Sequence, residues 1–283
     1  MRVAFNKTQD KILFMHEDLK EYKKLFKFPA FLREGPYFYL PAKSHILHNV
    51  LGRLQKAKTT LRLDKEVHEF LELPFKLKEI PATFKFHTTP MDYQNIALRY
   101  LYTVGSGGLL LDPGMGKSKV VLDYIMLMGF KRVLIVCPKA LLFVWEDEIR
   151  IHRPELTSYT PTTTNWGNEE AGVMNAQLTI INYTKAVTLK PFLKRAGFEF
   201  IHLDEFLIKD PKTARTKELT DLSRSIPYKC GGSGTLINNT VMDVYCPVRF
   251  LEPSLVGNNY KSFFDTHAVT VMAKPGTENP SQA

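Results

Sequence analysis

A short apolar run that ends in a glycine-rich turn constrains the fold of this chain more than any other feature. Residues 109–118 read Leu-Leu-Leu-Asp-Pro-Gly-Met-Gly-Lys-Ser. Gly114 and Gly116 let backbone N–H groups approach phosphate oxygens without side-chain obstruction. Lys117 can reach the oxygens of the β- and γ-phosphates, and the Ser118 hydroxyl can bind Mg²⁺. The helix predicted to start near Ser118 adds the positive end of its dipole, which favours an anion there.

The run matches the phosphate-loop pattern incompletely. The pattern G-x-x-x-x-G-K-[ST] requires glycine at position 111, where this chain has Leu111. Without further support, a glycine-rich turn is equally well a structural turn. Other features of the chain must decide between a turn and a nucleotide site.

The chain after residue 86 alternates short apolar strands with helices. The predicted strands span 108–111, 133–137, 178–181, 198–203 and 228–232. Strands that are apolar throughout are typical of a parallel sheet buried on both faces, and such sheets bind ligands at the carboxyl ends of their strands. The predicted fold class is therefore α/β, with a parallel sheet that carries helices on both faces.

Residues 1–85 are predicted to form a separate, small α+β domain. Its strands are expected at 3–5, 11–14, 30–33 and 37–40, and its helices at 17–26 and 43–56. Residues 1–90 hold 17 Lys and Arg against 10 Asp and Glu, whereas residues 91–283 hold 21 against 19. This basic excess is either a solvated surface or a contact area for a phosphate backbone.

Composition and cysteine usage exclude several classes of protein. A content of 44% hydrophobic and 24% charged residues is typical of a globular chain rather than a disordered or fibrous one. The apolar runs are too short to span a bilayer and the N-terminus lacks a secretory signal, which predicts a cytoplasmic location and no membrane partner. Cys137, Cys230 and Cys246 are widely spaced, so we expect buried thiols rather than disulfides or a zinc site.

A second motif, which is acidic, lies at the end of another predicted strand. Residues 198–205 read Phe-Glu-Phe-Ile-His-Leu-Asp-Glu. Asp204 can hold Mg²⁺, and Glu205 can orient and deprotonate the water that attacks a γ-phosphate. An isolated Asp-Glu pair is more often a solvated strand end. Following a candidate phosphate loop within one α/β pattern, the pair favours a nucleotide hydrolase.

The order of these motifs resembles that of the Snf-type (sucrose non-fermenting) translocases of helicase superfamily 2, particularly compact phage-encoded forms. The resemblance covers residues 86–270, and residues 271–283 are expected to be a flexible tail. Residues 89–94, Thr-Pro-Met-Asp-Tyr-Gln, resemble the motif in which Gln94 contacts adenine. Residues 111–118 resemble motif I, whose members also lack the first glycine, which implies that Met115 and its loop neighbours bind ATP.

The resemblance implies further roles along the same chain. Residues 134–149 are similar to motif Ia, in which Pro138 and Lys139 are expected to meet the DNA backbone, and Tyr183 lies in the next DNA-side motif. Residues 232–239 resemble motif III. The coupling of nucleotide state to DNA grip is implied for Ser233, Gly234 and Thr235.

The chain departs from the family pattern in motifs II and III. Phe206 and Leu207 follow Glu205 where the family carries a histidine two residues after the glutamate, and Leu236 replaces a proline. The resemblance implies a RecA-like lobe, with ATP and Mg²⁺ as cofactors. It also implies a second RecA-like lobe that carries an arginine, and the chain ends before such a lobe. Isolated, it is expected to bind ATP weakly and hydrolyse it poorly.

Three functional hypotheses follow. The first is a DNA-stimulated ATPase, an ATP-dependent translocase or helicase that acts on double-stranded or branched DNA in replication, recombination or repair. The second is a non-catalytic DNA-binding or regulatory fragment with a vestigial nucleotide site. The third is an unrelated nucleotide-driven switch. The N-terminal unit resembles the HepA-related-protein accessory domain of annealing helicases, with Tyr37, Phe38 and Tyr39 suited to gripping branched DNA.

Overall fold

The computed structural model describes residues 77–234, 236, 241–256 and 259–267, together with five strands of the N-terminal part. Those strands are β1 (Arg2–Asn6), β2 (Lys11–Met15), β3 (Leu32–Glu34), β4 (Tyr37–Pro41) and β5 (Arg62–Leu63). They form one sheet in the order β3-β4-β2-β1-β5, antiparallel except for the parallel β1–β5 pair.

The four strands predicted in this part are present, the third at 32–34 rather than at 30–33, and β5 was not predicted. A two-residue strand such as β5 carries no alternation that a sequence pattern could reveal. The helices predicted at 17–26 and 43–56, and the tail predicted at 271–283, lie outside the described residues.

The second sheet consists of six parallel strands. They are β6 (Gly107–Leu109), β7 (Val133–Cys137), β8 (Ser158–Tyr159), β9 (Leu178–Asn182), β10 (Phe200–Asp204) and β11 (Tyr228–Gly232). Their order across the sheet is β6-β11-β10-β7-β9-β8. Because all pairs are parallel, every carboxyl end lies at the same edge.

Helices cover both faces of this sheet. They are α1 (Asp92–Val104), α2 (Lys117–Met128), α3 (Leu142–His152), α4 (Trp166–Asn175), α5 (Tyr183–Thr188), α6 (Lys190–Leu193), α7 (Ala214–Ser223), α8 (Tyr245–Leu251), α9 (Pro253–Val256) and α10 (Tyr260–His267). Within β7, Val133, Ile135 and Cys137 pack with α1, α2 and α3, whereas Leu134 and Val136 pack against α5, α7 and α8. The strand is therefore apolar throughout because both faces are buried. The predicted fold class is confirmed.

The bounds of β6 and α2 differ from the predicted ones for local reasons. Strand β6 ends at Leu109 rather than at Leu111, because its pairing with β11 ends at Leu109 and Gly232. Helix α2 begins at Lys117, next to the start predicted near Ser118, and ends at Met128, where Gly129 caps it with a left-handed backbone.

A buried ionic cluster fastens the segment before α1 to the sheet domain. Asp123 of α2 lies 2.6 Å from Lys119 Nζ and 2.6 Å from an Arg153 guanidinium nitrogen. That guanidinium also donates to the Lys85 carbonyl oxygen and lies 4.9 Å from the centre of the Phe84 ring. The cluster thus orients the chain that leads into α1.

The three cysteines are free and buried, as the sequence predicts. Within the described part of the chain, no helix has the length and apolar character needed to cross a membrane.

Candidate nucleotide-binding site

The turn between β6 and α2 has the backbone of a phosphate-binding loop. Gly114 has φ of +82° and Gly116 has φ of +69°, both in the left-handed region that favours glycine. A Cβ atom on Gly116 would lie 2.4 Å from Gln94 Nε2. Glycine is therefore required at 116 for its backbone and for the space around it.

Gln94 connects the start of α1 to this loop. Its side-chain carbonyl accepts a hydrogen bond from Met91 N at 3.0 Å, and its Nε2 donates to the Met115 carbonyl oxygen at 3.1 Å. The side chain is buried. The structure thus brings the residue expected to contact adenine against the loop expected to hold phosphates.

Lys117 folds back over the loop from the first turn of α2. Its ammonium group donates to the Leu111 carbonyl oxygen at 2.8 Å and to that of Asp112 at 3.3 Å. Ser118 follows it on the same turn and is half-buried. The positive end of the helix, the ammonium group and a hydroxyl therefore meet at one point.

Asp204 lies at the carboxyl end of β10, close to Lys117. The carboxylate is buried and accepts a hydrogen bond from Trp145 Nε1 at 2.9 Å. Burial raises the pKa of Asp204, while the indole hydrogen bond and the Lys117 charge act in the opposite direction. Trp145 is a buried core residue whose indole also orients the candidate metal ligand.

Glu205 has an unusual backbone and a partner on the next strand. Its φ of +57° is the one positive value among non-glycine residues of the described part. Its carboxylate accepts a hydrogen bond from Ser233 Oγ at 3.3 Å. Ser233 N in turn donates to the Leu109 carbonyl oxygen at 3.2 Å. Motif III thus contacts Glu205 directly and is hydrogen-bonded to the end of β6, just before motif I.

Two of the three residues of the predicted coupling motif, Ser233 and Gly234, lie against the site. Ser233 is buried, and a Cβ atom on Gly234 would lie 2.9 Å from Pro113 Cδ in the phosphate loop. Thr235 lies outside the described residues.

His202 is a buried residue of this site that sequence reasoning did not single out. The ring is fully buried, and neither nitrogen has a hydrogen-bond partner among the described residues. It stands edge-on to Trp145, with ring centres 5.5 Å apart. Burial, and then the Lys117 charge, lower the pKa of His202 to about 3, so the ring is neutral near pH 7. Its position two residues before Asp204 on a buried strand is the signal that could have found it.

The residues present fit a nucleotide phosphate with Mg²⁺. Gly114 leaves open space beside the loop, and a Cβ atom at Gly116 would meet the Gln94 amide. The Ser118 hydroxyl and the Asp204 carboxylate are oxygen donors of the kind Mg²⁺ prefers. A cleft of about 710 Å³ opens beside the loop, lined by Pro113, Glu205 and Ser233 among others.

A second cavity, of about 660 Å³, lies at the carboxyl ends of β7 and β9, and we call it the basic groove. It is lined by Pro138, Lys139, Leu142, Thr162, Asn182, Tyr183, Thr184, Lys185, Leu207 and Arg215. Lys139 is exposed and Pro138 is half-buried, whereas only 4% of Tyr183 is exposed. All three residues predicted to face DNA thus border one groove. Sequence reasoning missed Lys185 and Arg215, which only the fold brings there.

Comparison with known proteins places this geometry among SNF2 proteins. The SNF2 domain-containing protein ENL1 of Oryza sativa is 26% identical over 203 residues, which cover 62% of this chain and 20% of that protein. The TATA-binding protein-associated factor mot1 of Aspergillus fumigatus is 27% identical, over 72% of this chain and 12% of its own. An ATP-dependent helicase of Mycoplasma pneumoniae is 22% identical, over 82% and 23%. The chain therefore spans less than a quarter of these relatives.

Solved structures agree with the fold. The SWI2/SNF2 ATPase core of Sulfolobus solfataricus, determined in complex with dsDNA, aligns with a TM-score of 0.58 at 21% identity. The alignment covers 66% of this chain and 41% of that one. The same core without DNA aligns with a TM-score of 0.55 at 23% identity, over 68% and 40%. The model of the SNF2-related domain family matches residues 93–279, more than half of the chain, and the chain therefore belongs to that family of ATPase and helicase-like domains.

Proposed function

We propose that this chain is the first motor lobe of an ATP-driven translocase that acts on double-stranded or branched DNA. One observation carries the proposal. The phosphate loop, the Asp204–Glu205 pair and Ser233 meet at one edge of the sheet, and the basic groove opens at the same edge. ATP hydrolysis and DNA binding would therefore take place at the same edge of the sheet.

Each residue has a distinct task in this proposal. The loop amides and Lys117 bind the phosphates, and Gln94 reads the adenine. Ser118 and Asp204 would hold Mg²⁺, which when bound neutralises phosphate charge and orients the γ-phosphate. Trp145 keeps one Asp204 oxygen engaged at 2.9 Å and so fixes the carboxylate plane.

Glu205 is the general base of the proposal. Its carboxylate takes the proton of the attacking water. The hydrogen bond from Ser233 Oγ, at 3.3 Å, fixes one carboxylate oxygen and leaves the other for the water. A movement of motif III would therefore alter the orientation of the base. This is how Ser233, Gly234 and Thr235 would couple the nucleotide state to DNA binding.

The DNA side of the proposal is supported by charge and by relatives. The basic groove carries Lys139, Lys185 and Arg215. Residues 1–90 add an excess of seven positive charges, from 17 basic and 10 acidic residues. The archaeal core of similar fold was determined with dsDNA. Phosphate contacts by such cations give binding that is independent of sequence and sensitive to salt.

The proposal includes a second RecA-like lobe that closes the cleft. An arginine delivered from outside raises the rate of related nucleotide hydrolases by about 10³–10⁵-fold. The lobe would come from the same polypeptide or from a separate one. Without it, we expect slow turnover that DNA still stimulates.

The test is ATP turnover by the full chain with duplex DNA, forked DNA or no DNA, together with the affinity for a fluorescent ATP analogue. We expect stimulation by DNA. Lys117→Ala should lose both turnover and nucleotide affinity, whereas Glu205→Gln should lose turnover and keep the affinity. Lys131→Ala, an exposed lysine at the opposite end of β7, is the matched control and should behave as the wild type.

Two outcomes would contradict the proposal. Turnover that survives Lys117→Ala would mean that the activity belongs to another site or to a contaminant. Tight, salt-dependent DNA binding with no nucleotide affinity would favour the non-catalytic DNA-binding fragment instead.

A further inference from the structure

Tyr183 lies in the wall between the nucleotide cleft and the basic groove. The two cavities share Leu207 and Arg215 as lining residues, and Tyr183 lines the groove. The Tyr183 side chain is 4% exposed, so its ring belongs to the wall and not to the open surface.

The Tyr183 hydroxyl holds the backbone of the catalytic carboxylates. It shares its single proton between the carbonyl oxygen of Asp204, at 3.2 Å, and that of Glu205. Burial raises the pKa of Tyr183, so the hydroxyl keeps its proton and remains a donor at any physiological pH. Phenylalanine at this position would leave the ring in place and remove the donor alone.

The backbone that Tyr183 holds is strained. A non-glycine residue with φ of +57° is costly, and such a conformation persists only where its surroundings enforce it. The Tyr183 hydroxyl supports it here, because the hydroxyl contacts the carbonyl oxygens of the two peptide groups that flank Glu205, those of Asp204 and of Glu205 itself. The direction of the Glu205 side chain therefore depends on the Tyr183 hydroxyl.

The same ring contacts the charged side of the basic groove. The Arg215 guanidinium lies over the Tyr183 ring, 5.6 Å from its centre. Lys139 and Lys185 line the same groove, and none of the described residues that line it is acidic. A phosphate backbone seated there would draw on Arg215, whose stacking partner is Tyr183.

We propose that Tyr183 is a positioning residue that transmits the occupancy of the basic groove by DNA to the orientation of Glu205. The inference rests on the proposed function. Its path is short: Arg215 stacks on the Tyr183 ring, and the Tyr183 hydroxyl bonds the Glu205 carbonyl. DNA that repositions Arg215 shifts this hydroxyl and with it the general base.

The experiment compares the wild type with Tyr183→Phe in the full chain. With saturating duplex DNA, we expect kcat to fall about tenfold, because small misplacements of a catalytic group have effects of this order or larger. The KM for ATP and the Kd for duplex DNA should stay within about twofold, because no ligand contact is removed. The control is Tyr124→Phe, which removes another bond from a buried tyrosine hydroxyl to a backbone carbonyl, 2.8 Å to Gly105, just before β6 at the edge of the sheet opposite to the cleft. It should leave kcat unchanged.

Hydrogen–deuterium exchange provides a second reading that needs no turnover. In the wild type, duplex DNA should change the exchange of amides 204–207, and Tyr183→Phe should abolish that change. Wild type without DNA stimulation refutes the proposed function. Intact stimulation with equal kcat in both proteins, or wild-type exchange at 204–207 indifferent to bound DNA, refutes the role of Tyr183. If the variant does not fold, wild-type exchange at 204–207 that is indifferent to bound DNA still refutes the role of Tyr183.

Discussion

Gly116 and Gly129 stand at the two ends of helix α2 with the same φ of +69°. Their surroundings differ. A Cβ atom on Gly116 would meet Gln94 Nε2 at 2.4 Å, whereas nothing lies within 4 Å of one on Gly129. Comparing substitutions at these two glycines therefore separates the effect of a left-handed backbone on stability from the effect of a clash with Gln94 on nucleotide binding.

Both Gly116→Ala and Gly129→Ala should lower the free energy of unfolding by about 1–2 kcal/mol, the cost of a left-handed alanine. Only Gly116→Ala should weaken the binding of a fluorescent ATP analogue, by about tenfold or more, because it displaces the Gln94 amide from the loop. Urea unfolding and fluorescence titration measure the two effects. Equal nucleotide affinity of the two variants would show that the Gln94 contact does not shape the site.

Individual residues also show where sequence reasoning stops. Lys117, Ser118 and Asp204 could be chosen from residue type and spacing. The bond from Trp145 to Asp204 could not, because the two residues are 59 positions apart and their meeting depends on how α3 packs on the sheet. A buried indole N–H needs an acceptor, which predicts that a partner exists but not which one.

Among the elements, the five-residue strands of the parallel sheet were predicted best. The predicted bounds 133–137 and 228–232 match β7 and β11, whereas the strand predicted at 198–203 is Phe200–Asp204 in the structure. Strand β8 was not predicted, because its two residues are defined only by their pairing with β9. Short elements of this kind depend on a neighbour and leave no periodic signal.

The Glu169 carboxylate of helix α4 accepts hydrogen bonds from the segment that precedes the helix. Burial of Glu169 acts to raise its pKa, but hydrogen bonds donated by Tyr159, Thr163 and Thr162 outweigh it and lower the pKa to about 2 from 4.5. The folded state thus binds this proton more weakly than the unfolded state. Its stabilising effect is complete above pH 4.5 and is lost as the pH falls towards 2.

Glu169→Gln should lower the free energy of unfolding at pH 7 by about 2 kcal/mol, the size expected for a shift of this order at a buried group. The difference from the wild type should shrink between pH 4.5 and pH 2. Denaturant unfolding at several pH values measures this. Glu170→Gln, the exposed neighbour, is the control and should follow the wild type throughout. A pH-independent difference would mean that the carboxylate charge is not what fastens α4.

At the scale of the whole molecule, the two ends of strand β7 have different surroundings. Lys131 precedes β7 and Lys139 follows it, and both are exposed. Because the sheet is parallel, only Lys139 lies at the edge that holds the phosphate loop and the basic groove.

Lys139→Ala should reduce the dependence of DNA affinity on salt, lowering the slope of log K against log salt by about 1 for each lost phosphate contact. Lys131→Ala should leave the slope unchanged. Anisotropy titrations of a labelled duplex at several salt concentrations give both slopes. Identical slopes for the two variants would place the DNA away from the basic groove.

The sequence by itself determined the chemistry of the strand ends and the α/β class, since residue types, strand-length apolar runs and turn glycines are local properties. Tertiary structure alone decided which ends meet. The sheet order β6-β11-β10 puts Leu109, Ser233 and Glu205 side by side, although the chain separates the first from the last by almost a hundred positions. It also decided that Tyr183 holds the Glu205 backbone and that His202 is neutral, because burial and hydrogen bonding depend on neighbours from distant parts of the chain.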